Sequence, residues 1–195
     1  KTAGLIFGGL MTYPPTDRER EVQQWLSDAQ RACLAVGLRV DTISTGGTPG
    51  MWRADQVPVA TEYRPGTYIY NDRSLVVRGT ARWDDCALTV LATVISTPTE
   101  TRAVIDAGSK VLTSDLLGMD GYGYVVDHPD LTIHALSEEH GIMLSTTPHQ
   151  LSVGQRVRII PNHACVVTNM MDRITLLRDE KIDGEEIVAA RGCVT

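Results

Sequence analysis

The 195-residue sequence has no apolar run long enough to cross a bilayer and no apolar segment of the secretory kind, which speaks against a helical membrane partner. It has no excess of positive charge. Its 18 Lys and Arg against 24 Asp and Glu leave a formal net charge of −6, where a nucleic-acid surface would be basic. Cysteines are few, and Cys33, Cys86, Cys165 and Cys193 are too scattered for a disulfide framework, so reduced thiols in a cytoplasmic protein are expected. The only lysines are Lys1, Lys110 and Lys181. No internal repeat and no low-complexity linker occurs. No Met opens the chain, and KTAGLIFGGL enters an apolar stretch at once. That opening is expected of a fragment or a processed chain.

What is there suits one or two compact domains, with 43% apolar residues. GLIFGGL at 4–10 reads as a buried strand, and the two prolines of MTYPPTD enforce a loop. Thr16 or Asp17 can cap a helix on which Val22, Trp25, Leu26, Ala29, Ala32, Cys33 and Val36 share one face and which Gly37 stops. RVDTIS is a second strand and VATEYRPGTYIYND contains a third. Strand, helix and strand in alternation are the rhythm of a parallel α/β unit. The remainder changes character. ALTVLATVISTP, TRAVIDAGS, LTIHALSEEHGIML, QRVRIIP, ACVVTN, RITLLRD and EEIVAARG are short β-rich runs, expected to form a mostly antiparallel sheet or barrel. The reading is α/β plus β, with domains at 1–75 and 76–195. Trp25, Trp52 and Trp83 are expected in the core.

Several stretches can carry chemistry. Read as a strand, PNHACVVTN puts His163 and Cys165 on one face, because side chains alternate with period two. Two readings remain from the residues alone. One is a buried cysteine beside a surface histidine; the other is a pair of zinc ligands with an open shell. TGGTPG follows a strand end, and Gly46, Gly47 and Thr48 can cradle a phosphate there. Gly66 and Thr67 repeat the pattern after the next strand. Both loops can equally be ordinary turns. Glu139 and His140 in EEHG fit acid–base work or a polar turn. GMDGYGY fits a mobile substrate loop or a plain loop.

Together, PNHAC, STGGTP, EYRPGTYIYND, DAGSK, EEHG and the terminal AARG resemble the motifs of the D-serine dehydratases and D-threonine aldolases, fold-type III pyridoxal-phosphate enzymes related to alanine racemase. The likeness spans essentially the whole chain. It implies the C-terminal part of a pyridoxal 5'-phosphate-binding (β/α)8 barrel followed by a β-domain that holds a metal. Tyr13 would face the cofactor ring. Gly46, Gly47 and Thr48 would hold the phosphate on one side, Gly66 and Thr67 on the other. His163 and Cys165 would bind Zn2+, with Mn2+ or Mg2+ as alternatives, and a small D-amino acid would complete the shell.

Two departures accompany the resemblance. The family's Schiff-base lysine lies near the barrel's start, and Lys1, Lys110 and Lys181 do not match it. The chain is therefore expected to be the C-terminal half of an enzyme, inactive without its N-terminal half. TYPPTD also stands where many relatives have glycine-histidine and a longer loop. The resemblance further implies a homodimer. His-x-Cys is the dehydratase pattern, whereas bacterial-type aldolases usually show His-x-Asp. The expected reaction is D-serine-type dehydration by a pyridoxal-phosphate- and metal-dependent lyase, with retro-aldol cleavage of D-threonine as the alternative.

Overall fold

In the computed structural model, which describes residues 3–193, the amphipathic stretch after the prolines forms helix α1 (Glu19–Ala35). Val22 and Leu26 are its buried positions. Its end is a Schellman turn, in which Leu38 N donates to Cys33 O and Gly37 N to Leu34 O. Its start differs from expectation. Arg18 is the cap residue and makes no side-chain cap bond, because Asp17 turns away with φ 64° and pairs with Arg53 at 2.7 Å.

Helix α1 connects β1 (Gly9–Met11) to β2 (Thr42–Thr45), and β3 (Glu62–Tyr63) follows; the three pair in parallel in the order β1-β2-β3. Val22, Leu26, Ile43 and Val57 form the core, with Leu10, Val40, Val59 and Ala60 against it. Strand β1 is shorter than the run at 4–10 suggests. Leu5 and Ile6 are exposed, since among the described residues no strand pairs on the far side of β1.

The chain divides between Ile69 and Tyr70. Helix α2 (Arg73–Val77) belongs to the second unit, where Arg73 N and Ser74 N donate to Pro161 O and Asn162 O. That unit is a six-stranded antiparallel sheet. Its strands are β4 (Val90–Thr99), β5 (Arg102–Ile105), β6 (Tyr124–Val125), β7 (Leu131–Leu136), β8 (Gly141–Ser145) and β9 (Arg156–Ile160). Their order is β6-β9-β4-β5-β8-β7. The two ends nearly meet, because Tyr122 N donates to Ile133 O at 3.0 Å. Gly121, with φ +75°, permits this approach: a Cβ there would lie 3.0 Å from Ile133 O. Alternate residues face one core of Ala92, Val94, Ala103, Ile105, Ile133, Met143, Val157 and Ile159. A separate hairpin, β10 (Arg173–Arg178) and β11 (Lys181–Ile187), closes the unit.

Two expectations are corrected. ACVVTN is not a strand but the start of helix α4 (Ala164–Met170). Ala164 and Val167, three residues apart, pack with Leu88, and the Thr168 hydroxyl donates to Ala164 O. Packing of this kind outweighs the β preference of Val166-Val167. The tryptophans are not core residues: Trp25 is 57%, Trp52 73% and Trp83 37% exposed. Trp83 stacks on Tyr124 with ring centroids 3.9 Å apart.

Between β5 and β6 lies the short helix α3 (Ser109–Leu112), docked on the β7–β8 turn through Ser109 N to Ser137 O and Lys110 N to Glu138 O. Gly108 makes the contact possible, as a Cβ would sit 2.4 Å from Glu138 O. Gly108→Ala is expected to destabilise the fold by about 1–3 kcal/mol, the usual cost of overpacking against backbone. Gly8→Ala, in open space, should stay within about 0.5 kcal/mol of the parent. Urea unfolding of the two variants checks this.

Candidate functional site

The residues singled out from sequence fall in two places, one in each unit. In the first unit, β2 delivers Thr45 and then Gly46, whose φ is +77° and whose missing Cβ leaves room for the Tyr63 ring at 2.0 Å. Here the glycine is needed by the fold. Gly47 and Gly66 are different. Gly47 is extended and its Cβ would make only ordinary contacts, with Pro49 and the Tyr13 ring at 3.8 Å, while Gly66 faces open space. Nothing in the chain itself demands glycine at 47 or 66. The two loops are joined by Thr48, which is buried and accepts the Gly66 N–H on its hydroxyl at 3.1 Å. The Thr45 hydroxyl is buried without a hydrogen-bond partner. Thr67 opens the next 3-10 turn (Thr67–Ile69). So the structure brings Tyr13, Gly46, Gly47, Thr48, Gly66 and Thr67 to one end of the parallel strands. A cation unmarked by sequence reading stands there too: Arg64 holds Ser44 Oγ at 2.5 Å and Thr12 O at 2.9 Å.

In the second unit, β9 runs into Pro161, buried Asn162 and His163, the N-cap residue of α4. His163 and Cys165 do converge, although the period-two reason does not apply. His163 is extended at φ −139° while Cys165 is already in the helix, and imidazole and thiol share a hydrogen bond. His163 Nδ1 lies 2.7 Å from Asp115 Oδ2. The bond with Cys165, then the one with Asp115, pushes the imidazole up to about 9, against the opposing effect of burial. A carboxylate behind a metal-ligating histidine is the usual outer support for such a ligand. Among the described residues no group of three or more His, Cys, Asp and Glu side chains converges to hold a metal. Nitrogen and sulfur donors nevertheless fit a soft ion with an open shell.

The pair is gripped from several sides. Asn162 Nδ2 donates to Asp115 O and Gly121 O, each at 2.9 Å, and its Oδ1 accepts from Arg73 Nη1 at 3.0 Å. Arg73 also donates to Gly121 O and Asp120 O, so these bonds pin the middle of the GMDGYGY loop. Asp72, fully buried, accepts the Ala164 N–H at 2.9 Å. Sequence reading missed Asp115, Asp72, Arg73 and Asn162. Only Asp72 carried a signal, as an Asp three residues before Leu75 in a short apolar run. Glu139 and His140 lie in the exposed β7–β8 turn, with Glu139 2.6 Å from Lys110. That turn holds α3, which leads to Asp115. Elsewhere, burial pushes the Cys86 thiol up to about 11, which makes it a poor nucleophile.

Residues 87–177 match the family described as "Putative serine dehydratase domain". An uncharacterised protein of Mycobacterium tuberculosis is 43% identical over 114 residues, which is 55% of this chain and 86% of that protein. The D-threo-3-hydroxyaspartate dehydratase of Delftia sp. (strain HT23) is 31% identical over 191 residues, 83% of this chain and 50% of the enzyme. A cysteine-to-alanine variant of a D-threo-3-hydroxyaspartate dehydratase is known in a metal-free form. The crystal structure of D-threonine aldolase from Filomicrobium marinum superposes with a TM-score of 0.78 at 28% identity, covering 98% of this chain and 56% of that one. The chain thus spans about half the length of these characterised enzymes. The chain belongs to the family of the D-serine dehydratases and D-threonine aldolases.

Proposed function

We propose that the chain supplies the phosphate-binding loops and the metal pair of a pyridoxal-phosphate- and metal-dependent lyase, which dehydrates D-β-hydroxy amino acids of the D-serine type. The observation that carries this reading is the convergence of His163 and Cys165, with Asp115 2.7 Å behind the imidazole. The family's activities frame the reading: its members include dehydratases and aldolases of D-β-hydroxy amino acids.

When bound, the cofactor draws electron density from the substrate's Cα and the metal polarises the β-oxygen so that hydroxide can leave. The rest is the work of the chain's own residues. Gly46, Gly47, Thr48, Gly66 and Thr67 hold the phosphate. Gly47 and Gly66 are two positions where the fold does not ask for glycine and a close-lying ligand would. The Thr48 hydroxyl and Gly66 N–H now satisfy each other, and a phosphate oxygen would share that pairing. Tyr13, beside Gly47, faces the cofactor ring. His163 and Cys165 hold the ion, and the thiolate favours Zn2+ over the harder Mn2+ or Mg2+. Asp115 orients the imidazole.

Among the described residues, no lysine suits the Schiff base. The Lys110 ammonium is held between Glu138 and Glu139, at 3.0 and 2.6 Å, and their carboxylates raise its proton affinity. Lys181 is exposed in the β10–β11 hairpin, and Lys1 lies outside the described residues. The Schiff-base lysine is supplied by a segment outside this sequence, in a cytoplasmic homodimer. D-threonine-type aldol cleavage is the second reading, favoured by the extent of the match to the Filomicrobium marinum aldolase. Glu139 and His140 remain candidates for acid–base work.

Four outcomes test this function. Elemental mass spectrometry of the purified chain should find near-stoichiometric zinc, lost in His163→Ala and in Cys165→Ser; a metal-free, folded parent would remove the metal reading. Gly47→Ala and Gly66→Ala should melt within about 0.5 kcal/mol of the parent, yet weaken pyridoxal-phosphate binding once the chain is combined with its N-terminal complement, as followed by cofactor absorbance. The third concerns pH. A histidine raised from about 6.5 to about 9 stabilises the metal-free fold fully below about 6.5 and loses that contribution as pH rises through about 9. A metal must displace the same proton. Apparent zinc affinity should therefore drop by at least roughly tenfold per pH unit below about 9. Asp115→Asn should weaken it about 10–100-fold at a fixed pH, read by competition with a chelating dye.

A further inference from the structure

We infer that Asp72 is a positioning residue for the metal pair, acting from a different part of the chain, an assignment that rests on the metal reading above. Ala164 lies between His163 and Cys165, and its N–H is the one that Asp72 Oδ2 accepts, at 2.9 Å. The other carboxylate oxygen accepts from Ser74 Oγ at 2.7 Å and Leu75 N at 3.1 Å. One buried carboxylate thus caps α2, its own helix, and also the first turn of α4, whose own cap residue, His163, makes no side-chain cap bond.

The neighbouring residues repeat the grip. Arg73 N donates to Pro161 O at 3.0 Å, Ser74 N to Asn162 O at 3.3 Å, and Arg73 Nη1 to Asn162 Oδ1 at 3.0 Å. Residues 72–74 therefore hold 161, 162 and 164 in register. The backbone path from His163 to Cys165 runs through the held residue, so this contact constrains the separation of the two ligands. Two amides and a hydroxyl donate to Asp72, and all three are neutral. Its negative charge lies behind the pair, and a dication at the pair would be attracted to it.

The test titrates the full chain with Co2+, reading both affinity and the thiolate-to-cobalt absorption band. Asp72→Asn places an amide where one donor now bonds, and should lower cobalt affinity about 10–100-fold with a shifted or weakened band. Ala164→Pro removes the bonded N–H at the first helical position, where the fixed φ of proline is tolerated. It should show the same loss with the carboxylate in place, and it serves if Asp72→Asn does not fold. Leu75→Ala is the control, because it truncates a buried side chain of α2 and lowers thermal stability while keeping the carboxylate and its donors. It should bind cobalt within about threefold of the parent, the ordinary tolerance for a site left untouched. If Asp72→Asn and Ala164→Pro bind like the parent, or Leu75→Ala loses as much as they do, Asp72 is only structural. If the parent shows no thiolate–cobalt band, the metal reading falls and this assignment with it.

Discussion

The junction of α2 and α4 in the second unit depends on one buried carboxylate. Asp72 has no exposed surface, and a charge taken out of water is costly unless donors meet it. Three donors do so, from Ser74, Leu75 and Ala164. Because Ala164 is far along the chain, the same bonds that solvate the charge also join α2 to α4. The position of His163, its contact with Asp115 and its convergence with Cys165 follow from that junction. Around it, Asn162 and Arg73 satisfy the carbonyls of Asp115, Asp120 and Gly121. Buried polar groups are costly when unpaired and rigid when paired, so the network holds the site in one arrangement.

The first unit shows a different constraint, in which glycines sort by what requires them. Gly46 is bound by its own backbone angle and by the Tyr63 ring beneath it. Gly47 and Gly66 answer to neither demand. Their loops nonetheless meet at the Thr48 hydroxyl, at the ends of parallel strands. A glycine unexplained by the chain's own conformation leaves room beside the backbone.

Much of this was legible from the residues. Helical spacing located α1, and Gly37 marked its end within a residue. The β-rich runs after residue 87 foretold an antiparallel sheet, which the hydrogen-bond pattern bears out in the order β6-β9-β4-β5-β8-β7. The failures share one cause. ACVVTN read as a strand because valine prefers strands, but a distant carboxylate and the Leu88 contact make it a helix. GLIFGGL read as a buried strand, yet Leu5 and Ile6 find no partner strand to cover them among the described residues. The tryptophans were placed inside by their apolarity, though each of these large side chains keeps much of its surface exposed.

By itself the sequence determined the alternation of elements, the two glycine loops and the residue types of the candidate ligands, since these follow from local periodicity and from the chemistry of single side chains. The tertiary structure alone decided that Asp115 stands behind His163, that Asp72 caps a helix 92 residues away, and that Lys110 is spent on Glu138 and Glu139. Such pairings join groups that are remote in the chain. Local propensity carries no information about them, and only the packing of strands and helices brings their polar atoms within bonding distance.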